Sequence, residues 1–280
     1  MGSSTRVLVT GAGGFMARHL IPLLEQGGFE VIAKKHSELE ISDGTQVGKT
    51  VSELRPDIVV NCAAIASTGY AKEHPEESYA ANVTGCVNLA RACAESGAGL
   101  YVMSSDQVYG GCAGTSPLKE DAASTPNNIY GAQKLEMEKL VLGILPEAVA
   151  LRLDWMYEPY NAGCPHTDIV SRLVQACDSG TPIKFSTREY RGMADMDEVC
   201  GNIIAGFGRL PGGVYNFGSS NNADTYSTMV RIAEAAGIDR SLILPDDSWG
   251  RNISMDCSRL ESFGISFRNT EEALVSILSR

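Results

Sequence analysis

Residues 6–20, RVLVTGAGGFMARHL, constrain the fold more than any other stretch of this chain. The apolar run 7–9 reads as a strand, the glycine cluster after it as a tight turn, and Phe15 onward as a helix. Gly11 and Gly14 let the backbone take positive φ and approach a ligand with no Cβ in the way, while Ala17 keeps helix and strand close. Backbone N–H groups at the start of the helix then face a pyrophosphate. A tight strand-to-helix turn needs no ligand in general. At the head of an alternating β/α chain, however, this one points to a dinucleotide site.

Composition narrows the setting. With 280 residues, 44% hydrophobic and 20% charged, the chain can bury one large core or two unequal ones. The formal net charge of -11 argues against nucleic acid and against an anionic membrane surface, so an anionic substrate would need locally placed arginines. Eight cysteines carry no C-x-x-C pair and no Cys/His zinc spacing, which reads as reduced thiols in a cytoplasmic protein. Neither a signal peptide nor a membrane-spanning helix is expected. His166 and Asp168 lack a third ligand at usable spacing, so they read as a loop and a helix start, and no metal site is expected.

Along the chain, a helix over residues 15–26 stops at Gly27-Gly28, and a second strand follows over 29–33. An acidic residue at the end of that strand would suit an adenosine ribose diol, and cations would suit a 2′-phosphate. Lys34, Lys35 and His36 stand there, which favours NADP(H) and leaves NAD(H) open; an exposed lysine pair also suits a solvated loop. The apolar run 58–66 predicts a buried parallel strand. Ala63 and Ala64 at its end, with Cys62 beside them, would let a cofactor lie across the sheet edge. A long helix is predicted over residues 78–95, carrying Asn82, which either braces neighbouring backbone or is simply a satisfied core amide.

Two segments carry chemistry. SSDQVYG, residues 104–110, lies at the carboxyl end of the fourth strand, where open parallel sheets place reacting groups. Tyr130 and Lys134 stand four apart on one face of a helix that starts after TPNN, residues 125–128. A lysine ammonium beside a phenol favours the phenolate and should lower its pKa from about 10. Ser105 could share a substrate oxygen with Tyr130, and Lys134 could also hold the cofactor ribose.

Together with the glycine loop, these residues make the chain resemble the short-chain dehydrogenase/reductase superfamily, in its extended branch of nucleotide-sugar enzymes. LEISD (39–43), RPDIVVNCAA (55–64), ANVTGCVNLARAC (81–93), SSDQVYGG and LRLDWMY (151–157) are similar to the dTDP-4-dehydrorhamnose reductase family. That resemblance implies a doubly wound Rossmann-type parallel sheet over residues 1–156. Residues 157–280 would be mainly a smaller substrate-binding lobe that returns one or two strands to the sheet. It implies Ser105, Tyr130 and Lys134 as the catalytic trio, Tyr130 protonating a sugar C4 oxygen. Phe15 and Met16 would lie under the pyrophosphate, Glu40 and Ile41 beside the adenine, Asp106 and Trp155 against the substrate, and Arg191 and Arg251 on its diphosphate. Departures are Ser105 for the usual Thr, Gln107 for an aromatic, His36 for Arg, Glu40 for Asp and Asn252 for Pro, and a proline-threonine pair is missing near Gly192. The substrate implied is a 4-keto nucleotide sugar, and a homodimer is a family-level expectation. An epimerase with tightly bound NAD and a non-catalytic NADP-binding subunit, like the methionine adenosyltransferase beta subunit, are the alternatives.

Overall fold

The computed structural model describes residues 4–159 and 168–278. His166 of the rejected metal pair, and Cys164, lie outside those residues. The chain begins β1 (Arg6–Thr10), α1 (Phe15–Gln26), β2 (Glu30–Lys34), α2 (Gly44–Leu54), β3 (Ile58–Asn61), α3 (Thr68–Glu73), α4 (Pro75–Tyr79), α5 (Gly85–Ser96) and β4 (Gly99–Ser105). It continues with α6 (Ile129–Ile144), β5 (Val149–Leu153), β6 (Trp155–Tyr157), α7 (Ile169–Ser179), β7 (Ile183–Ser186), β8 (Glu189–Tyr190), β9 (Met193–Asp195) and α8 (Met196–Gly206). β10 (Gly213–Phe217), α9 (Thr225–Ala236), β11 (Ile243–Asp246), β12 (Arg251–Asn252), α10 (Ser258–Glu261) and α11 (Thr270–Leu278) complete it.

Six parallel strands form the central sheet in the order β10-β5-β4-β3-β1-β2. Val7, Leu8 and Val9 are fully buried because both faces of β1 are covered, which is why the strand reads as an unbroken apolar run. The α1 side of the sheet packs Leu20 and Leu24 with Ile203 of α8, and the other side packs Leu89 and Cys93 of α5 with Met137 of α6. β10 reaches the sheet edge from the carboxyl-terminal part of the chain, Gly213–Phe217 pairing with Val149–Leu153. Helices α7, α9 and α11 of that part pack a core of their own around Leu173, Met229 and Leu274, and its short strands pair as β6 with β9, β7 with β11 and β8 with β12.

Two predicted elements differ. β3 ends at Asn61 rather than continuing to Ala66, because Asn61 turns its side chain inward: Thr10 Oγ1 donates to its Oδ1 at 2.6 Å and Ala63 N does so at 3.2 Å, drawing the chain out of the ladder. The predicted helix over 78–95 is interrupted by a π-helical turn, Ala80–Thr84. Asn82 lies in that turn and braces backbone: it accepts from Ile65 N and donates to Ile65 O, both at 3.0 Å, and donates to Gln133 Oε1 on α6. Such single-turn bulges recur at functional sites, and this one ties the segment after β3 to the helix bearing Tyr130. Among the described residues, no helix is long and apolar enough to cross a membrane.

Candidate active site

Two cavities lie along the carboxyl ends of the strands and share Gly14, Cys62 and Ala64 in their walls. The first, of about 700 Å³, is walled by the glycine turn, residues 35–37 and 39–42, and the segment after β3. Gly11 has φ +64°, and a Cβ there would meet Ala63 N at 2.6 Å, so only glycine lets the turn close on that segment. Gly13, which sequence reasoning left out, has nothing within 4 Å of where its Cβ would be and faces open cavity. Its signal was present, as the middle glycine of the turn. The N-terminus of α1 carries no side-chain cap, so its donors remain for a ligand. The cradle has the open backbone and uncapped donors that a dinucleotide needs, and Gly11, Gly13 and Gly14 are the residues that would hold its phosphates.

Lys35, His36, Glu40 and Ile41 line this cavity, as do Ala63 and Ala64, whereas Lys34 is not in its wall. Lys34 instead contributes backbone, its carbonyl accepting from Ala12 N at 3.0 Å and so holding the glycine turn. His36 contacts the Glu40 carboxylate, and the Ser42 N–H together with His36 holds that carboxyl below its usual range. Burial pushes the Cys62 thiol up to about 12, making it a small apolar wall group.

The second cavity, of about 570 Å³, gathers Phe15, Met16, Ser105, Asp106, Tyr130, Lys134, Trp155, Arg191 and Arg251. β4 delivers Ser105 at its carboxyl end, and α6 delivers Tyr130 and Lys134 one turn apart. The Asn128 side chain caps that helix by accepting from Gly131 N at 2.8 Å. Lys134 is 2% exposed; its Nζ donates to Met103 O at 2.8 Å and sits 5.5 Å from the centre of the Tyr130 ring. The expected lowering of the phenol does not appear. Burial, reinforced by the Asp106 charge, raises the Tyr130 pKa, with the Ser105 hydroxyl acting weakly the other way, and burial lowers that of Lys134. Desolvation decides the direction because the phenol is buried, so it keeps its proton.

At the far end, side chains from four segments close a ring. Arg251 donates through Nε to Glu189 Oε1 at 2.9 Å and through an Nη to Gln107 Oε1 at 3.0 Å. Gln107 Nε2 donates to Asp106 Oδ1 at 3.0 Å, the oxygen that also receives the Ser105 hydroxyl. Asp106 Oδ2 accepts from Arg191 at 2.9 Å, and Arg191 lies 3.7 Å from Glu189. Two cations thus meet two carboxylates. Arg191 is enclosed, whereas Arg251 keeps part of its side chain open to solvent. Glu189 was invisible to sequence reasoning, since a lone glutamate in an irregular stretch gives no signal.

Asp154 was also missed. It is 5% exposed, backed by Gly192 and Gly218, and accepts from Ser219 N at 2.7 Å, while its Oδ1 has no partner among the described residues. Burial, then the Asp106 charge, raises its pKa well above the usual carboxylate range, and Arg191 opposes this. Trp155 lies against Arg191, whose guanidinium carbon is 5.0 Å from its ring centre. Among the described residues, no group of three or more His, Cys, Asp or Glu is placed to hold a metal ion.

The chain is similar to known proteins in sequence and in fold. Residues 5–279 match the family model for the RmlD substrate binding domain. The chain is 32% identical over 250 residues to a dTDP-4-dehydrorhamnose reductase of Streptomyces griseus, covering 87% of this chain and 80% of that one. It is 38% identical over 241 residues to the Mycolicibacterium smegmatis protein of the same name, covering 86% and 72%. Among solved structures, the dTDP-4-dehydrorhamnose reductase of Bacillus anthracis in complex with NADP shares the fold at a TM-score of 0.87 and 22% identity, covering 98% of this chain and 99% of that one.

Proposed function

The chain belongs to the RmlD substrate binding domain family, and on that premise we propose that it reduces the 4-keto group of a nucleotide sugar, as a dTDP-4-dehydrorhamnose reductase does. It is an NAD(P)-dependent oxidoreductase of the short-chain dehydrogenase/reductase type, with NADP(H) favoured and NAD(H) accommodated. The observation that carries the reading is the convergence of Ser105, Tyr130 and Lys134 on one cavity, continuous with the glycine cradle on one side and bounded by Arg251 on the other.

A nicotinamide dinucleotide bound in the cradle supplies the hydride. The residues of the chain manage the proton and the charge. Tyr130 holds its proton firmly, as an acid must before the C4 oxygen gains negative charge, and then donates it to that oxygen. Ser105 adds a second hydrogen bond to the same oxygen once its hydroxyl turns from Asp106. Lys134, close to the Tyr130 ring, lowers the cost of the phenolate left behind. Trp155 offers the sugar an aromatic surface. Arg251, the more open of the two arginines, takes the diphosphate, and Arg191 positions Asp106. A cytoplasmic homodimer, pairing through the helices of Ser78 and Tyr130, and a division near residue 156 belong to the same reading.

Mixing the purified protein with NADPH and a dTDP-4-keto-6-deoxy sugar tests it. Nicotinamide absorbance should fall in proportion to sugar consumed. Bound sugar with unchanged absorbance would overturn the reductase reading.

A further inference from the structure

We propose that Trp249 is the stacking platform for the base of the nucleotide substrate, a subsite that continues the active-site cavity outward past Arg251. This rests on the nucleotide-sugar reading above. Trp249 is 44% exposed. A single exposed apolar side chain is ordinary in itself; what marks this one is its setting.

The turn that carries it is pinned on both sides. Asp246 Oδ1 accepts from Ser248 N at 3.0 Å and from Ser248 Oγ at 2.6 Å, and the Trp249 carbonyl accepts from Ser186 Oγ at 2.7 Å. Gly250 packs against the backbone of Arg188, and Arg251 is locked in register opposite Glu189. The ring is therefore presented to solvent at a defined place.

That place adjoins the phosphate-binding cation. The Arg251 guanidinium carbon lies 5.7 Å from the centre of the Trp249 ring, within range of a cation–π contact. The same guanidinium lines the substrate cavity and is steadied there by Glu189 and Gln107. A diphosphate held by Arg251 with its sugar inward leaves its nucleoside outward, where only the ribose separates phosphate from base. The group the base meets is the indole. The Asp246 carboxylate, whose pKa the hydrogen bonds from Ser248 lower, disfavours a second anion at this end and leaves an uncharged aromatic base as the matched ligand.

Calorimetric titration of the full chain with dTDP, UDP and inorganic pyrophosphate, each compared with NADPH, tests the assignment. Trp249→Ala should weaken dTDP about 10-fold, within the range an aromatic platform contributes to base stacking. Trp249→Phe should stay close to the unaltered protein, and pyrophosphate and NADPH should bind equally to all three. Should Trp249→Ala lose NADPH as well, Trp249→Leu, which keeps bulk without a π face, takes its place. Unchanged dTDP affinity in the aliphatic variant overturns the platform while leaving the nucleotide-sugar reading intact. Equal losses of dTDP and pyrophosphate also overturn it, because Trp249 would then act by holding Arg251. If neither dTDP nor UDP binds the unaltered protein, the nucleotide-sugar reading and this subsite both fall.

Discussion

The cradle around Gly11 and the ring around Glu189 adjoin along one cleft and are made of different material. The cradle is backbone and small side chains: Gly11 against Ala63, Gly13 facing open space, Cys62 as an apolar wall. The ring is polar and mostly charged side chains from the end of β4 and the turn after it, from β8, from β12 and from the segment before β9, linked one to the next. A cradle of this kind tolerates no added atom, whereas a ring of this kind tolerates no missing charge. One region depends on sterics and the other on compensation.

Substitutions that break each region separately sharpen that contrast. The largest expected effect is Arg191→Met, which leaves Asp106 buried beside Asp154 without its cation; removing one partner of a buried pair costs about 3–5 kcal/mol. Chemical denaturation would read the loss, and full retention of stability would mean that the ring is not a buried ionic unit. Tyr130→Phe should lower turnover roughly 100-fold or more with NADPH affinity retained. Steady-state rates against a fluorescence titration of NADPH would check this, and unchanged turnover would remove Tyr130 from the chemistry. Gly11→Ala should weaken NADPH and lower stability by ~1–2 kcal/mol from positive φ alone, before the clash with Ala63 is added. Arg251→Ala should raise the KM for the nucleotide sugar about 10-fold and leave the KM for NADPH alone.

The mildest change, Asp154→Asn, tests the electrostatics of the ring's neighbour. An acid whose folded pKa is raised favours folding below its unfolded value, near 3.9, and forfeits that contribution as pH rises towards the folded value. Asp154→Asn should therefore be more stable than the unaltered protein at neutral pH, with the gap closing below about pH 4. Melting temperatures across that range would show it, and a gap independent of pH would mean that Asp154 is ionised in the fold.

Local pattern made the cradle legible. A strand, a glycine turn and a helix are encoded within 15 consecutive residues, and Tyr130 and Lys134 lie one helical turn apart. Legibility failed where side-chain bonding competes with regular structure, as at Asn61, which ends β3, and in the π-helical turn at Asn82. It failed again for the Tyr130 phenol, because spacing reveals the lysine but not the burial that sets the direction of the shift.

The residues in order were enough to determine an alternating β/α chain, a glycine turn at its head, a serine at the end of a strand and a tyrosine and lysine one turn apart on a helix, since each of these depends on near neighbours in the chain. Only the tertiary structure decided which charges meet. Glu189 finds Arg251 across 62 residues, Arg191 finds Asp106 across 85, and burial raises the pKa of Asp154. Coulomb energy and desolvation depend on distance in space and on access to water, and neither is written in the spacing of residues along the chain.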